Sequence, residues 1–277
     1  MTIREMGKMD LPAAEAMWRD IFEESPAFAS YYFAHRFSPE HAFGTFEDDR
    51  LVAMAHGRPT TILIEGRPYK ALLIAGVATL PEYRKQGLMH KLMTLLTGQA
   101  EACGFSCCYL HPVAETLYAS LGFRNGTDAL IVHSDETRAH EPYVLSDRFD
   151  ADAMLSVYHA LQQTHSGMEL RDEAELNMVF ADYAIDNAEV MLAYEKETPV
   201  GYIIYCDDGL VYELMALNTP CYAFLLDEAA KRVGKEIKAI VPTDCGLPGE
   251  RVYSMQYLVF HNAFSLPLKN GFCRLAY

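Results

Sequence analysis

The distribution of apolar and polar residues along the chain predicts alternating strands and helices, the pattern of an α/β protein. Apolar runs bounded by turn residues mark the strands of the first half, and apolar positions at helical spacing mark its helices. Asp10 and Pro12 favour a helix that begins at Leu11, with Asp10 as its cap. The predicted elements of this half are strands at 2–6, 41–46, 51–55, 61–64, 69–79, 105–111 and 129–133 and helices at 11–22, 25–33, 88–100 and 114–121.

The second half repeats part of this order. Its predicted elements are helices at 151–163, 172–183 and 219–232 and strands at 189–194, 200–206, 210–216 and 236–241. The polar segment 134–149 contains Pro142 and mixed charges, which favours a connection between domains. A chain of 277 residues fits two domains at roughly 150 residues each. We therefore expect one domain at 1–134 and a second at 145–277.

The junction between the strand at 69–79 and the helix that begins at Leu88 carries the main chemical signal. The strand is apolar almost throughout, which is typical of a strand buried on both faces. The turn carries Arg84 and Lys85, and Gly87 lacks a Cβ atom where the backbone must bend sharply. Free N–H groups then meet at a helix N-terminus beside two cations, which favours a pyrophosphate ligand. A basic surface turn without a ligand is the alternative.

The same residues resemble the acetyl-CoA signature of the GNAT acetyltransferases, Arg/Gln-x-x-Gly-x-Gly/Ala. In this chain the signature reads Arg84-Lys85-Gln86-Gly87-Leu88-Met89, with Met89 where the family has a small residue. The preceding segment, 77–83, resembles the strand that leads into the family's loop. The resemblance implies an acetyl-CoA site formed by Val77, Ala78, Thr79, Arg84, Lys85, Gln86, Gly87, Leu88, Met89 and His90.

The resemblance further implies a GNAT fold, a mixed central sheet flanked by helices, followed by a second GNAT-like α/β domain. The corresponding turn of the second half, 217–220, has no glycine and no basic residue, so we expect that domain to lack the phosphate loop. The pattern is most similar to the enhanced-intracellular-survival type of GNAT. That branch carries a third, sterol-carrier-like domain, which we do not expect here. It also uses its C-terminal carboxylate as a base. In this chain Tyr277 is the C-terminal residue but comes from a different domain, so the base stays unassigned.

A second segment, 117–123, resembles the GNAT segment in which a tyrosine lies beside the thioester sulfur and protonates the leaving thiolate. Tyr118 is the matching residue. A phenol whose pKa is near 10 is protonated at neutral pH and can act as an acid. In the predicted helix, Leu117 and Leu121 stand four residues apart and face the core, whereas Tyr118 points elsewhere. An ordinary helix tyrosine with its hydroxyl in water is the alternative.

Composition narrows the function classes. The formal net charge of −15 disfavours nucleic acid and anionic membranes as partners and favours a cationic one. No apolar stretch approaches the roughly 20 residues that span a bilayer, and the N-terminal residues lack the apolar core of a signal peptide. Seven cysteines, an odd number, favour reduced thiols in a cytoplasm. We therefore expect a cytoplasmic protein.

Cys103, Cys107, Cys108 and His111 suggest a zinc site, but adjacent cysteines of one strand point to opposite faces. No second ligand pair has the usual zinc spacing, so we favour buried thiols and expect no metal. His111 either contacts the acceptor or forms a local hydrogen bond at the end of its strand.

The sequence thus predicts an acetyl-CoA-dependent N-acetyltransferase that acts on a primary amine of a small, cationic acceptor. A CoA-binding sensor without catalysis is the first alternative, and a structural protein that dimerises through its second domain is another. A homo-oligomer is compatible with each of them. No Gly-x-Ser-x-Gly motif occurs to suggest a hydrolase.

Overall fold

The computed structural model describes residues 1–139 and 143–273 of the chain. The helices are α1 (Leu11–Phe22), α2 (Pro26–His35), α3 (Leu88–Ala102), α4 (Ala151–Gln162), α5 (Glu173–Ala184) and α6 (Thr219–Val233). The strands are β1 (Thr2–Glu5), β2 (Ala42–Glu47), β3 (Arg50–Ile64), β4 (Arg67–Thr79), β5 (Cys107–Leu110), β6 (Arg124–His133), β7 (Val144–Ser146), β8 (Glu189–Glu195), β9 (Thr198–Tyr205), β10 (Val211–Ala216), β11 (Lys238–Val241) and β12 (Glu250–Val259).

The chain divides into two compact units, and neither is a continuous stretch of sequence. The first consists of Met1–Ile62, Tyr69–Arg124 and Met255–Leu266. The second consists of Leu63–Pro68, Asn125–Ser254 and the described residues from Pro267 onward. A segment near the C-terminus therefore belongs to the N-terminal unit. The sequence pattern predicts no element in that segment, so β12 was not expected.

The sheet of the first unit runs in the order β1, β2, β3, β4, β5. β4 and β5 are parallel, with Ala71 opposite Cys107 and Leu73 opposite Tyr109. Residues 256–259 of β12 pair antiparallel with β5 on its other edge. The apolar side of α3 packs into a core with β4 and β5, which buries Leu88 and Leu92.

The second unit contains the antiparallel sheet β10-β9-β8-β7. Alternate residues of β9 enter different cores, because successive side chains of a strand point to opposite faces. Ile203 and Tyr205 pack with α6, whereas Tyr202 and Ile204 pack with α4 and α5. β11 pairs antiparallel with β6.

A buried ion pair lies inside the second unit. The Arg171 guanidinium donates to both carboxylate oxygens of Glu213, at 2.8 and 3.0 Å, and both side chains are fully buried. The Tyr202 hydroxyl donates to the same carboxylate at 2.9 Å. The guanidinium also lies 4.4 Å from the centre of the Tyr158 ring. These contacts connect the segment before α5 to β9 and β10.

Most predicted elements are confirmed. α1 has the predicted bounds, Ser25 caps α2 through the Phe28 N–H group at 3.1 Å, and α6 ends at Gly234. The predicted mixed α/β architecture with a second sheet is also confirmed. None of the helices among the described residues is both long and apolar enough to cross a membrane.

Some local predictions were wrong. The segments 51–55 and 61–64 are one strand, β3, which passes through the exposed Pro59; a proline is tolerated where the ladder does not need its N–H group. The predicted connection contains β7, which pairs with β8. Asp10 stands at the N-cap position of α1, but its carboxylate accepts hydrogen bonds from Arg4 and from the Gly7 N–H group instead of from the helix.

Candidate active site

The turn between β4 and α3 contains two residues in the left-handed region, Lys85 at φ +62° and Gly87 at φ +73°. Gly87 is the N-cap residue of α3, and no side chain caps this end of the helix. A Cβ atom at Gly87 would meet no atom within 4 Å, so the space in front of the helix is open. The first N–H groups of a helix have no intrahelical partner. The helix therefore presents free donors and the positive end of its dipole to this space.

The cationic side chains of the turn are exposed. The Arg84 Nε group donates to the Thr79 carbonyl at 3.2 Å, which holds the start of the turn against the end of β4. Lys85 is free to approach an anion, since its side chain is exposed. The arrangement suits a pyrophosphate, because backbone donors at a helix N-terminus lie within a few residues of two exposed cations.

The turn is attached to the β2–β3 hairpin by side chains that the sequence analysis did not single out. The Tyr83 hydroxyl donates to Glu47 Oε2 at 2.5 Å, and Arg50 forms an ion pair with Glu82 at 2.9 Å. The Arg50 guanidinium also lies 5.9 Å from the centre of the Tyr83 ring. Each contact is weak at an exposed site. Together they hold the residues just before the loop.

One edge of β4 extends beyond its partner strand. The parallel register with β5 ends at Leu73 and Tyr109, and residues 74–79 of β4 continue past it. Val77 and Thr79 are half-buried on one side of this extension, and Ala78 is buried on the other. A strand edge with free N–H and C=O groups can bind an extended ligand by main-chain hydrogen bonds. The β4 residues of the predicted acetyl-CoA site thus lie on such an edge.

The remaining residues of the predicted acetyl-CoA site differ in burial. Leu88 is buried, and Met89 is half-buried and packs against the same core, so part of its side chain is directed away from solvent. Gln86 and His90 are exposed. Leu88 and Met89 could therefore contact a ligand through their backbone groups, whereas Gln86 and His90 could do so through their side chains.

Tyr118 lies in the core of the first unit, and the predicted orientation of its segment was wrong. Residues 114–121 form successive turns and a short 3-10 helix, Ala119–Leu121, instead of an α-helix. Without a 3.6-residue repeat, Leu117 and Leu121 do not share a face. Leu117 is exposed, whereas Tyr118 is only 5% exposed.

Tyr118 packs in the same core as several residues of the predicted acetyl-CoA site. It belongs to the core cluster that contains Leu88 and Leu92, and Val77 and Met89 pack against that cluster. Burial raises the pKa of the Tyr118 phenol above its usual value of 10.0. The hydroxyl is therefore protonated at neutral pH, as a proton donor must be.

A residue near the C-terminus holds the Tyr118 segment in place. Gln256 of β12 donates from Nε2 to the Glu115 carbonyl at 2.7 Å, across 141 positions of sequence. Gln256 is 2% exposed. No local pattern around it signals this role, because its neighbours form an ordinary strand.

The other candidate residues give a mixed outcome. Cys107 and Cys108 are buried, as predicted, whereas Cys103 is exposed. Among the described residues no group of three or more His, Cys, Asp or Glu side chains could hold a metal ion. His111 is exposed. Tyr277, considered above as a base, lies outside the described residues.

The uncapped helix N-terminus, the extension of β4 beyond β5 and the buried Tyr118 all belong to the first unit. Residues 2–126 match the family model of the acetyltransferase (GNAT) domain. The part of the chain that contains the β4–α3 turn and the Tyr118 segment is therefore similar to an acetyltransferase domain of the GNAT type. No curated protein matches the chain in sequence.

Solved structures extend the similarity in fold to both units. A structure described as a probable N-acyltransferase from Enterococcus faecalis V583 has a TM-score of 0.73 at 16% identity, covering 93% of this chain and 72% of that one. A GCN5-related N-acetyltransferase from Anabaena variabilis ATCC 29413 has a TM-score of 0.71 at 14% identity, covering 93% and 72%. Eis1 from Mycobacterium abscessus has a TM-score of 0.69 at 14% identity, covering 94% and 74%. The predicted GNAT fold is confirmed.

Proposed function

We propose that the protein is an acetyl-CoA-dependent N-acetyltransferase that acetylates the primary amine of a small, cationic acceptor. The observation that carries the proposal is the uncapped N-terminus of α3, which faces open space beside Arg84 and Lys85. A carrier with a pyrophosphate fits this geometry, since free backbone donors and cations bind phosphate oxygens. The backbone of Val77 and Thr79 would hold the extended arm of the carrier along the free edge of β4.

In the proposed reaction the neutral amine attacks the acetyl carbonyl directly. A C–N bond forms, the C–S bond breaks, and the sulfur leaves as a thiolate. Tyr118 donates its phenolic proton to that thiolate, and the proton that the acylated nitrogen loses passes through solvent to restore the Tyr118 phenol. Its buried position and its raised pKa support the assignment, because a positioned neutral phenol is a suitable acid. Holding the amine and the thioester close together would supply much of the rate.

The acceptor is proposed from the charge of the chain. A net charge of −15 attracts cations and repels anions. The basic turn at Arg84 and Lys85 is then a local exception to this charge, and it suits acetyl-CoA, which is an anion. Polyamines and aminoglycoside-like amines are suitable probes of this acceptor class, because each combines a primary amine with further positive charge.

The test is a panel of cationic, neutral and anionic primary amines incubated with acetyl-CoA, with free thiol release and acetylated product both followed. We expect product with cationic amines at rates well above those with matched anionic amines. Tight binding of acetyl-CoA with no thiol release across the panel would favour the sensor alternative. Absence of acetyl-CoA binding by calorimetry would contradict the proposal.

A further inference from the structure

A buried imidazole lies beside β4, outside the residues assigned so far. His56 of β3 has no exposed surface and is surrounded by aromatic rings from α1, α2 and the residues after α2. The ring centres of Trp18 and Phe37 lie 5.5 and 4.9 Å from it. The Tyr32 hydroxyl lies 3.0 Å from His56 Nε2 and forms a hydrogen bond with it. The ring is thus fixed in place by packing and by one polar contact.

The free side of this ring lies against a kink in β4. Gly76 has a φ of +54°, in the left-handed region that favours glycine. A Cβ atom at this position would lie 2.6 Å from His56 Nδ1 and closer still to Cε1. The imidazole therefore occupies the space that any other residue at 76 would need. Gly76 directly precedes Val77, so the kink sets the course of the strand edge at 77–79.

The side of the ring that faces Gly76 carries an unpaired polar atom, which a hydrocarbon ring would not have. His56 Nδ1 is buried and has no hydrogen-bond partner among the described residues. Such an atom lowers stability, because burial removes its hydrogen bonds to water without replacing them. Burial also lowers the pKa of His56 to about 3, so the ring is neutral at physiological pH. Costly polar groups of this kind are often kept at functional sites.

We propose that His56 is a positioning residue for acyl transfer. Its imidazole, held by Tyr32 and Trp18, supports the kink at Gly76 and so fixes the backbone at 77–79 against the acyl carbonyl. This inference rests on the proposed binding of acetyl-CoA along β4. His56 acts through the strand and does not touch the substrate, so its effect falls on the geometry of the bound acyl group.

A matched pair of variants tests the role. His56→Leu and His56→Gln have similar volumes, but the glutamine amide keeps a polar group for the Tyr32 hydroxyl. We expect kcat to fall about 10- to 100-fold in His56→Leu, the size of effect that a misplacement of about 1 Å produces. His56→Gln should recover part of that loss. The Kd for acetyl-CoA should stay within about 2-fold in both variants, because the phosphate loop is unchanged.

Assays are run well below the midpoint of thermal unfolding of each variant. If folded His56→Leu keeps the parent kcat, His56 only fills the core and the inference is wrong. If His56→Leu fails to fold, Tyr32→Phe replaces it. This change removes one hydroxyl and should lower kcat about 3- to 10-fold, with the Kd for acetyl-CoA unchanged. An unchanged kcat in Tyr32→Phe would then overturn the inference.

A double-variant cycle tests the contact itself. Gly76→Ala should lower kcat strongly in the parent protein, because the new methyl group meets the imidazole. In a His56→Ala background the same methyl group meets open space, so the further loss should be smaller. If the fold-losses in kcat of the two single variants multiply to give that of the double variant, the two positions are not coupled. If the parent protein transfers no acetyl group, the proposed function is wrong. If the parent is active and the His56 variants behave otherwise than expected, only the role of His56 is wrong.

Discussion

Each unit contains a strand that leads through a turn into a helix, yet the two helix N-termini differ in their hydrogen bonds. In the first unit, α3 begins at Gly87 with no side-chain cap. In the second unit, α6 begins at Asn218, whose side-chain oxygen accepts from the Cys221 N–H group at 2.9 Å and from the Tyr143 hydroxyl at 3.1 Å. A helix N-terminus that is capped internally has fewer donors for a phosphate. We therefore expect the first turn, and not the second, to bind a pyrophosphate.

The buried polar centres of the two units also differ. The first contains the neutral His56, which lies against a kinked strand. The second contains the Arg171–Glu213 ion pair, whose carboxylate belongs to β10. Breaking a buried ion pair is costly, because one charge is left without compensation. We infer that β10 serves stability where β4 serves binding.

The largest expected effect concerns the chemistry of the first unit. Tyr118→Phe keeps the buried ring but removes the hydroxyl, so kcat should fall roughly 10²–10⁴-fold. KM and thermal stability should change little, since the proton is needed only as charge develops on sulfur. Tyr69→Phe is the control, because Tyr69 is a half-buried tyrosine of the same unit with no proposed role in the reaction. If Tyr118→Phe turns over at the parent rate, the thiolate takes its proton from elsewhere.

The next effect concerns the second unit. Glu213→Ala leaves Arg171 buried without its partner and should lower the free energy of unfolding by about 3–5 kcal/mol. Glu189→Ala removes an exposed carboxylate that accepts from Tyr205 at 3.0 Å and should cost less than about 1 kcal/mol. Urea denaturation measures both values. Equal values for the two variants would contradict a structural role for the pair.

The contrast between the two turns is tested directly at Gly87. Gly87→Glu places a carboxylate in front of the uncapped helix, and the Kd for acetyl-CoA should rise at least about 100-fold, or about 2.7 kcal/mol. Gly98→Glu adds the same charge to an exposed position of the same helix and should leave binding unchanged. Calorimetry should also give one acetyl-CoA per chain. Two sites per chain would show that the second turn binds a carrier as well.

The buried imidazole makes the stability of the first unit sensitive to acid. The pKa of His56 falls to about 3 in the folded protein from the usual 6.5 because the ring is buried. Between pH 6.5 and pH 3, His56 is therefore protonated in the unfolded chain but not in the folded protein. The free energy of unfolding falls as the pH is lowered through this range. At pH 5 the loss from this group should be about 2 kcal/mol. His56→Leu should remove this part of the pH dependence of urea denaturation; an identical dependence would contradict the assignment.

The smallest expected effect tests the cap of α6. Asn218→Ala removes the side-chain acceptor and should cost about 1 kcal/mol of stability, the usual value of an N-cap. The Kd for acetyl-CoA should not change, since the proposed acetyl-CoA site lies in the first unit. A weaker Kd in this variant would mean that the second turn contributes to donor binding.

The sequence by itself determined the features that depend on neighbouring residues. Gly87 predicts the turn that begins α3, and Asn218 with Pro220 predicts the start of α6 in the same way. Helix α1 and the strands from β8 to β10 follow from local periodicity for the same reason. Short-range backbone preferences determine these structures, so a single sequence suffices to predict them.

Only the tertiary structure decided which distant segments meet. Gln256 reaches Glu115 across 141 positions, and residues 256–259 of β12 complete the sheet beside β5. Tyr118 is buried because its segment forms turns against a core that no local repeat describes. His56 and Gly76 fit each other across adjacent strands. Such pairings depend on complementary shape over the whole unit, and hydrophobic periodicity along the chain contains no information about the partner.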